Sequence, residues 1–285
     1  MANEAMRQNW TDGAVGWVEN QAIFDAVFAP VTEAILNAAA PEAGQRLLDV
    51  GCGSGTLLAR SVEFGAAVVG VDISANMAEA AKRRVPEATV IVADAQEADL
   101  LDQAPGAPFD RVVSRFGVMF FDDPEAAFAN IRKATAPGAR LVFACWRGEP
   151  ENPIFSTGSS VLADRLDPRP EPPAPNEPGP TAFADPDRPA SLLKAVGWAS
   201  VSVDPLDFSC DYGIDGSDGV EERLATVLST GTGRTARDQL LPRLGHEGWN
   251  DVIEEVRAEL RDRRVDGVVK FPGAAWLVTA TNPAI

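Results

Sequence analysis

The sequence predicts an α/β protein built on a doubly wound, mostly parallel sheet of seven strands. Three observations point there. Short apolar runs alternate with helix-like stretches from Arg46 to Trp146, the order that sets parallel strands between two layers of helix. The runs are apolar throughout rather than alternating, as strands covered on both faces must be. Two further strand-like runs come late in the chain and can extend the sheet.

The elements follow in order. Residues 19–40 read as helix, with Phe24, Val27, Phe28, Val31, Ile35 and Leu36 at helical spacing. Pro30 breaks that run and opens a second helix in its first turn. LLDVG (47–51) is a buried strand ending in glycine, and Ser54–Phe64 is a helix stopped by Gly65. AVVGVD (67–72) is the second strand. Ser74 caps a helix that runs to Arg84 before Pro86. TVIV (89–92) and RVVS (111–114) are the next strands, Pro124–Ala134 the next helix, and RLVFACW (140–146) a fifth strand entered through Pro137–Gly138. Nine prolines in residues 165–189 mark an irregular insertion. LLKAV (192–196) ends a helix, and WASVSVDPLDF (198–208) and AAWLVTAT (274–281) are the late strands. Between them, 219–230 and 250–264 read as amphipathic helices.

Composition narrows the function. The 285 residues fill one large domain or two small ones at roughly 150 residues each. The 42 acidic against 25 basic residues leave a formal charge of −17. Nucleic acid and anionic membrane surfaces need a basic face, so neither is expected as a partner. No apolar run approaches the ~18 residues of a membrane helix, and MANEAMRQNW lacks a signal peptide's apolar stretch. A cytoplasmic protein acting on a small molecule is the expectation. Cys52, Cys145 and Cys210 are widely spaced and suggest neither disulfide nor metal site. Cys52 reads as a small loop filler. The only histidine is His246.

DVGCGSG carries the most information: Asp49, Gly51, Gly53 and Gly55 lie between a strand and a helix. Glycines serve where a backbone turns sharply against a ligand. The spacing is G-x-G-x-G, not the G-x-G-x-x-G that accommodates a pyrophosphate. Asp49, just before the glycines, suits a hydrogen-bond donor or cation better than a phosphate. Asp72 ends the second strand 21 residues after Gly51, where a carboxylate can accept ribose hydroxyls. Asp94 and Ala95 follow the third strand, and that carboxylate can accept from an exocyclic amine.

These motifs resemble those of the class I S-adenosylmethionine-dependent methyltransferases. LLDVGCGSG, VVGVDIS, VADA, SRFGVMFFDDP and PGARLVFACW follow one another as that family's motifs do, over roughly residues 46–146. NWTDGAVGWVENQ, TAFADPDR and AWLVTA resemble one subgroup, the ubiquinone/menaquinone-biosynthesis-type small-molecule methyltransferases. The resemblance implies a Rossmann-like methyltransferase sheet and S-adenosyl-L-methionine as cofactor, with S-adenosyl-L-homocysteine as product. It places Gly51, Gly53 and Gly55 against the methionine portion, Asp49 at its amine, Asp72 at the ribose, and Ile73 and Met77 on adenine. Asp94 and Ala95 read the adenine edge, Ser114 and Arg115 contact the methionine moiety, and Trp10 covers the cofactor. Arg115 could instead pair with Asp122 or Asp123 on the surface, and Trp10 and Trp17 could staple the first helix.

The expected organisation is an N-terminal helical segment (1–45) covering the site, a core (46–208 and 268–285) with a Pro-rich insert (149–189), and a helical lid (209–267). Substrate walls are expected at Trp17, Trp146 and Tyr212. No catalytic base is evident; His246 is the one candidate, because its side chain titrates near neutral pH. The lid's apolar stripes would also serve a homodimer. Competing readings are a cofactor-binding regulatory protein without turnover and a nicotinamide-dependent oxidoreductase.

Overall fold

The computed structural model describes residues 3–105, 107–171, 174 and 176–284. The chain begins with three helices, α1 (Glu4–Glu19), α2 (Gln21–Val27) and α3 (Ala29–Ala39). The alternating core follows: β1 (Arg46–Val50), α4 (Thr56–Val62), β2 (Ala67–Asp72), α5 (Ala75–Arg84), β3 (Thr89–Val92), α6 (Leu100–Gln103), β4 (Phe109–Arg115), α7 (Pro124–Lys133) and β5 (Thr135–Trp146). After it come α8 (Ser159–Ala163), α9 (Asp187–Ala195), β6 (Ala199–Asp211), α10 (Val220–Ser229), α11 (Gly231–Asp262), β7 (Arg264–Val265) and β8 (Val268–Thr281).

Seven strands form one path in the order β3-β2-β1-β4-β5-β8-β6, and β7 makes a short hairpin with β8. The first five strands are parallel, and β8 runs antiparallel to both β5 and β6. The two-residue period of a strand divides the core. Leu47 and Leu48 are neighbours in β1, both fully buried, and belong to separate apolar clusters. Leu47 packs with residues of α3, α4 and α5, whereas Leu48 packs in the cluster that includes α7, α9 and α10. Pro205 lies in β6, the edge strand, where a missing N–H does no harm.

Local signals explain most boundaries. The Ser74 hydroxyl accepts from the Met77 N–H and starts α5. Asp123 caps α7 at Ala126, with Pro124 in the first turn. The structure differs from expectation in several places. The expected helix 19–40 is divided at Asn20 and Phe28, and a further helix, α1, precedes it. β5 begins at Thr135, taking in Pro137 and Gly138, whose N–H donates to the Asn282 carbonyl. The second amphipathic helix begins at Gly231 rather than 250 and breaks at Gly245, where φ is +71°. No single helix among the described residues is long and apolar enough to cross a membrane.

Candidate functional site

Ligands of open α/β sheets bind beyond the carboxyl ends of the strands, where the strand order reverses. Here the order reverses between β1 and β4. A cavity of about 530 Å³ opens there, walled by the strand-end loops, α1, and the segment joining α10 to α11. The loop after β1 runs against the loop after β4 with no side chain between them. A Cβ on Gly51 would lie 2.8 Å from the Gly117 Cα, and Gly51 also has a φ of +68°. Only glycine satisfies both demands.

Three acids stand at successive strand ends along this cavity. Asp49 is 1% exposed, and its Oδ1 has no hydrogen-bond partner among the described residues. Burial pushes its carboxyl up to about 8; Arg115 opposes that shift and Asp72 adds to it. Asp72 accepts from the Ser74 N–H at Oδ1 and from the Gly53 N–H at Oδ2, both at 2.8 Å. Burial raises it to about 6 even so, with those two bonds pulling down. Asp94 accepts from the Gln96 N–H at 2.9 Å and from the Asn3 amide, 2.9 and 3.1 Å from its two oxygens. Asn3 is itself clamped, exchanging two 2.6 Å bonds with Asp122.

Arg115 lines the cavity but does not pair with Asp122 or Asp123. Its guanidinium lies 3.6 Å from Asp25 and donates to Thr32 and Thr56. Asp25 also accepts from Arg84 at 2.7 Å and from the Thr56 hydroxyl at 2.6 Å. This buried lattice joins the N-terminal helices to the loop after β4. Aromatic rings wall the rest of the space. Phe116 and Trp146 stack in parallel at 4.3 Å, and Trp17 stacks on Phe24 at 3.9 Å. Trp10 meets Trp17 and Phe120 edge-on.

Trp10, Trp17, Asp49, Gly51, Gly53, Asp72, Ile73, Met77, Asp94, Ala95, Arg115 and Trp146 all line this one cavity. Four expected residues do not. Gly55 packs under the loop, where a Cβ would crowd Ala81. The Ser114 hydroxyl is fully buried, donating to the Val50 carbonyl and accepting from the Gly117 N–H, so it ties the two loops together. Tyr212 is fully buried beside Phe271, its hydroxyl accepting from Arg223. His246 is exposed and borders a separate 220 Å³ pocket with Trp249 and Arg237. It follows the break at Gly245 and does not line the cavity at the strand ends.

Cys52 fills the loop against Gly70, and burial pushes its thiol well up, which makes it a poor nucleophile. Sequence reasoning passed over Phe116, Asn3, Arg223 and Arg234. A non-glycine residue at a φ of +64° has no sequence signature, and Phe116 is one. Arg223 looks like an ordinary charge on an amphipathic helix, and Arg234 falls between the two helices expected at 219–230 and 250–264.

Residues 48–143 match the methyltransferase domain family. The demethylmenaquinone methyltransferase of Renibacterium salmoninarum is 30% identical over 179 residues, covering 59% of this chain and 72% of that protein. The nocamycin O-methyltransferase of Saccharothrix syringae is 34% identical over 131 residues, 42% of this chain and 45% of its own length. The crystal structure of the YcgJ protein from Bacillus subtilis superposes with a TM-score of 0.55 at 16% identity, covering 89% of this chain and 98% of that one, a likeness of fold. The chain belongs to the methyltransferase family, the class I enzymes that take their methyl group from S-adenosyl-L-methionine.

Proposed function

We propose that the acidic end of the cavity holds S-adenosyl-L-methionine and the aromatic end holds a small-molecule acceptor. The observation that carries this reading is the buried, unpartnered Oδ1 of Asp49 beside the glycine loop. A buried carboxylate without a partner is costly, and an ammonium group placed there would satisfy it. Asp72 keeps lone pairs for ribose hydroxyls beyond its two backbone bonds. Ile73, Met77 and Ala95 offer apolar faces to adenine, with Asp94 at its edge. The sequence-related methyltransferases named for a quinone precursor and for nocamycin support a small-molecule acceptor.

Bound there, S-adenosyl-L-methionine supplies a methyl group on a sulfonium; the sulfur–carbon bond breaks as the bond to the acceptor forms, leaving S-adenosyl-L-homocysteine. The protein's part is alignment and exclusion of water. Alignment alone can contribute on the order of 7–11 kcal/mol in favourable cases. Residues 3–45 cover the site from the N-terminal side, and α10 and α11, within the expected lid 209–267 whose first residues belong to β6, close it from the other. Asp49, Asp72 and Asp94 are the carboxylates among the described cavity-lining residues, and all three stand at strand ends. The acceptor therefore arrives already ionised.

Calorimetric titration with S-adenosyl-L-homocysteine tests the reading. Binding that weakens about 10- to 100-fold in Asp49→Asn is expected, the range for a hydrogen bond to a charged group. Binding of NADH in its place would sink the proposal.

A further inference from the structure

The cavity carries a cation that finds no carboxylate among the described residues. Three arginines line the cavity. Arg115 has Asp25. Arg223 and Arg234, both on the proposed lid, have no carboxylate within 4.0 Å among the described residues, in a chain with a net charge of −17. Their hydrogen bonds set the two apart. Arg223 is 3% exposed and spends its donors on the carbonyls of Ile154 and Thr157, the Tyr212 hydroxyl and the Thr226 hydroxyl. It pins α10 to the chain ahead of α8. Arg234 makes one bond, from Nη1 to the Ser229 carbonyl at 2.7 Å. Its Nε and Nη2 donors find no acceptor among the described residues.

The site of Arg234 is shaped for it. Its guanidinium lies against Gly13 in the middle of α1, where a Cβ would come within 3.1 Å of Nη1 and 3.4 Å of Nη2. A glycine inside a helix costs about 1 kcal/mol against alanine. Here its bare backbone is the shelf on which the planar fork rests. Gly13 and Arg234 both line the cavity, and Gly13 stands three and four residues from Trp10 and Trp17 on α1, on the helix face that lines it with them.

We infer that the acceptor is a planar aromatic acid whose carboxylate docks on the free side of the Arg234 guanidinium while its rings lie against the aromatic wall. A guanidinium fork matches a carboxylate in shape as well as charge. The inference rests on the reading of the cavity as a cofactor and acceptor site, and the two can fail separately.

The test uses the whole chain saturated with S-adenosyl-L-homocysteine. Benzoate, 1-hydroxy-2-naphthoate and anthracene-2-carboxylate are titrated beside their uncharged amides. At least one acid should bind 10-fold or more tighter than its amide. Arg234→Gln should abolish that preference and Arg234→Lys should keep part of it, while the affinity for S-adenosyl-L-homocysteine stays within twofold and reports an intact fold. Equal affinities for acid and amide, or no binding of any probe to the saturated protein, overturns the inference and leaves the cofactor reading standing. Weakened S-adenosyl-L-homocysteine binding in Arg234→Gln would assign Arg234 to the cofactor and also overturn it. Failure of the unaltered protein to bind S-adenosyl-L-homocysteine defeats both.

Discussion

The two ends of the cavity are built differently. At the strand ends, each acid comes from a short stretch of consecutive sequence, and Asp72 and Asp94 each accept from the backbone two residues on, at Ser74 and Gln96. Under the lid, groups from distant parts of the chain meet. Gly13 touches Arg234, and Arg223 reaches Ile154 and Thr157. The cofactor end is thus a local structure repeated along a sheet, and the acceptor end is an assembly of separate segments.

Breaking the assembled end should cost the most stability. Arg223→Met strips the carbonyls of Ile154 and Thr157 and the Tyr212 hydroxyl of their donor. A loss of about 3 kcal/mol or more is expected at 1–3 kcal/mol per buried unsatisfied group, measurable by urea unfolding. Asp49→Asn acts at the other end and should leave the lid untouched.

The pH response sharpens the same contrast. The folded carboxyl of Asp49 titrates near 8 and that of Asp72 near 6, against 3.8 when unfolded. The folded state therefore holds protons that the unfolded state has lost. Stability falls as pH rises from about 4 through 8. Melting temperatures across that range should show the decline, and Asp49→Asn should flatten its upper part. A bound ammonium favours the charged carboxylate, so affinity for S-adenosyl-L-homocysteine should rise between pH 6 and 8 and lose that rise in Asp49→Asn.

Smaller effects divide the two ends further. Gly13→Ala crowds the Arg234 fork, and it should weaken aromatic-acid binding about fivefold, roughly 1 kcal/mol, with cofactor affinity unchanged by calorimetry. Asn3→Ala should do the reverse. The Asn3 amide donates to both oxygens of Asp94, where an adenine amine would donate. Its removal should strengthen S-adenosyl-L-homocysteine binding about two- to threefold, roughly 0.5 kcal/mol.

What could be read in advance follows the same division. The glycine loop, the three acids and the Ser74 cap are periodic or local signals, and they lie together at the strand ends. A helical segment is expected over 1–45, but α1 as a separate element escaped because Gly13 and Gly16 argue against a helix; both are accommodated by contact with the lid, where a Cβ on Gly16 would meet Ser229 at 2.6 Å. His246 drew attention through its rarity and its suitability as a general base, and its pocket lies elsewhere. Tyr212 is placed by Arg223, a pairing across 11 residues that no spacing rule anticipates. Arg234 needed its missing partner to be noticed, and an absent contact leaves no trace in sequence.

The touching backbones of Gly51 and Gly117 have a kinetic meaning. Gly117 directly follows Phe116, whose ring is stacked on Trp146 in the acceptor wall. The two loops meet backbone to backbone there, and the Ser114 hydroxyl ties them together. Whatever settles the first loop also sets the ring that the second substrate must meet. On the proposed reading the methyl donor binds first and the acceptor second, an order that product-inhibition kinetics would test.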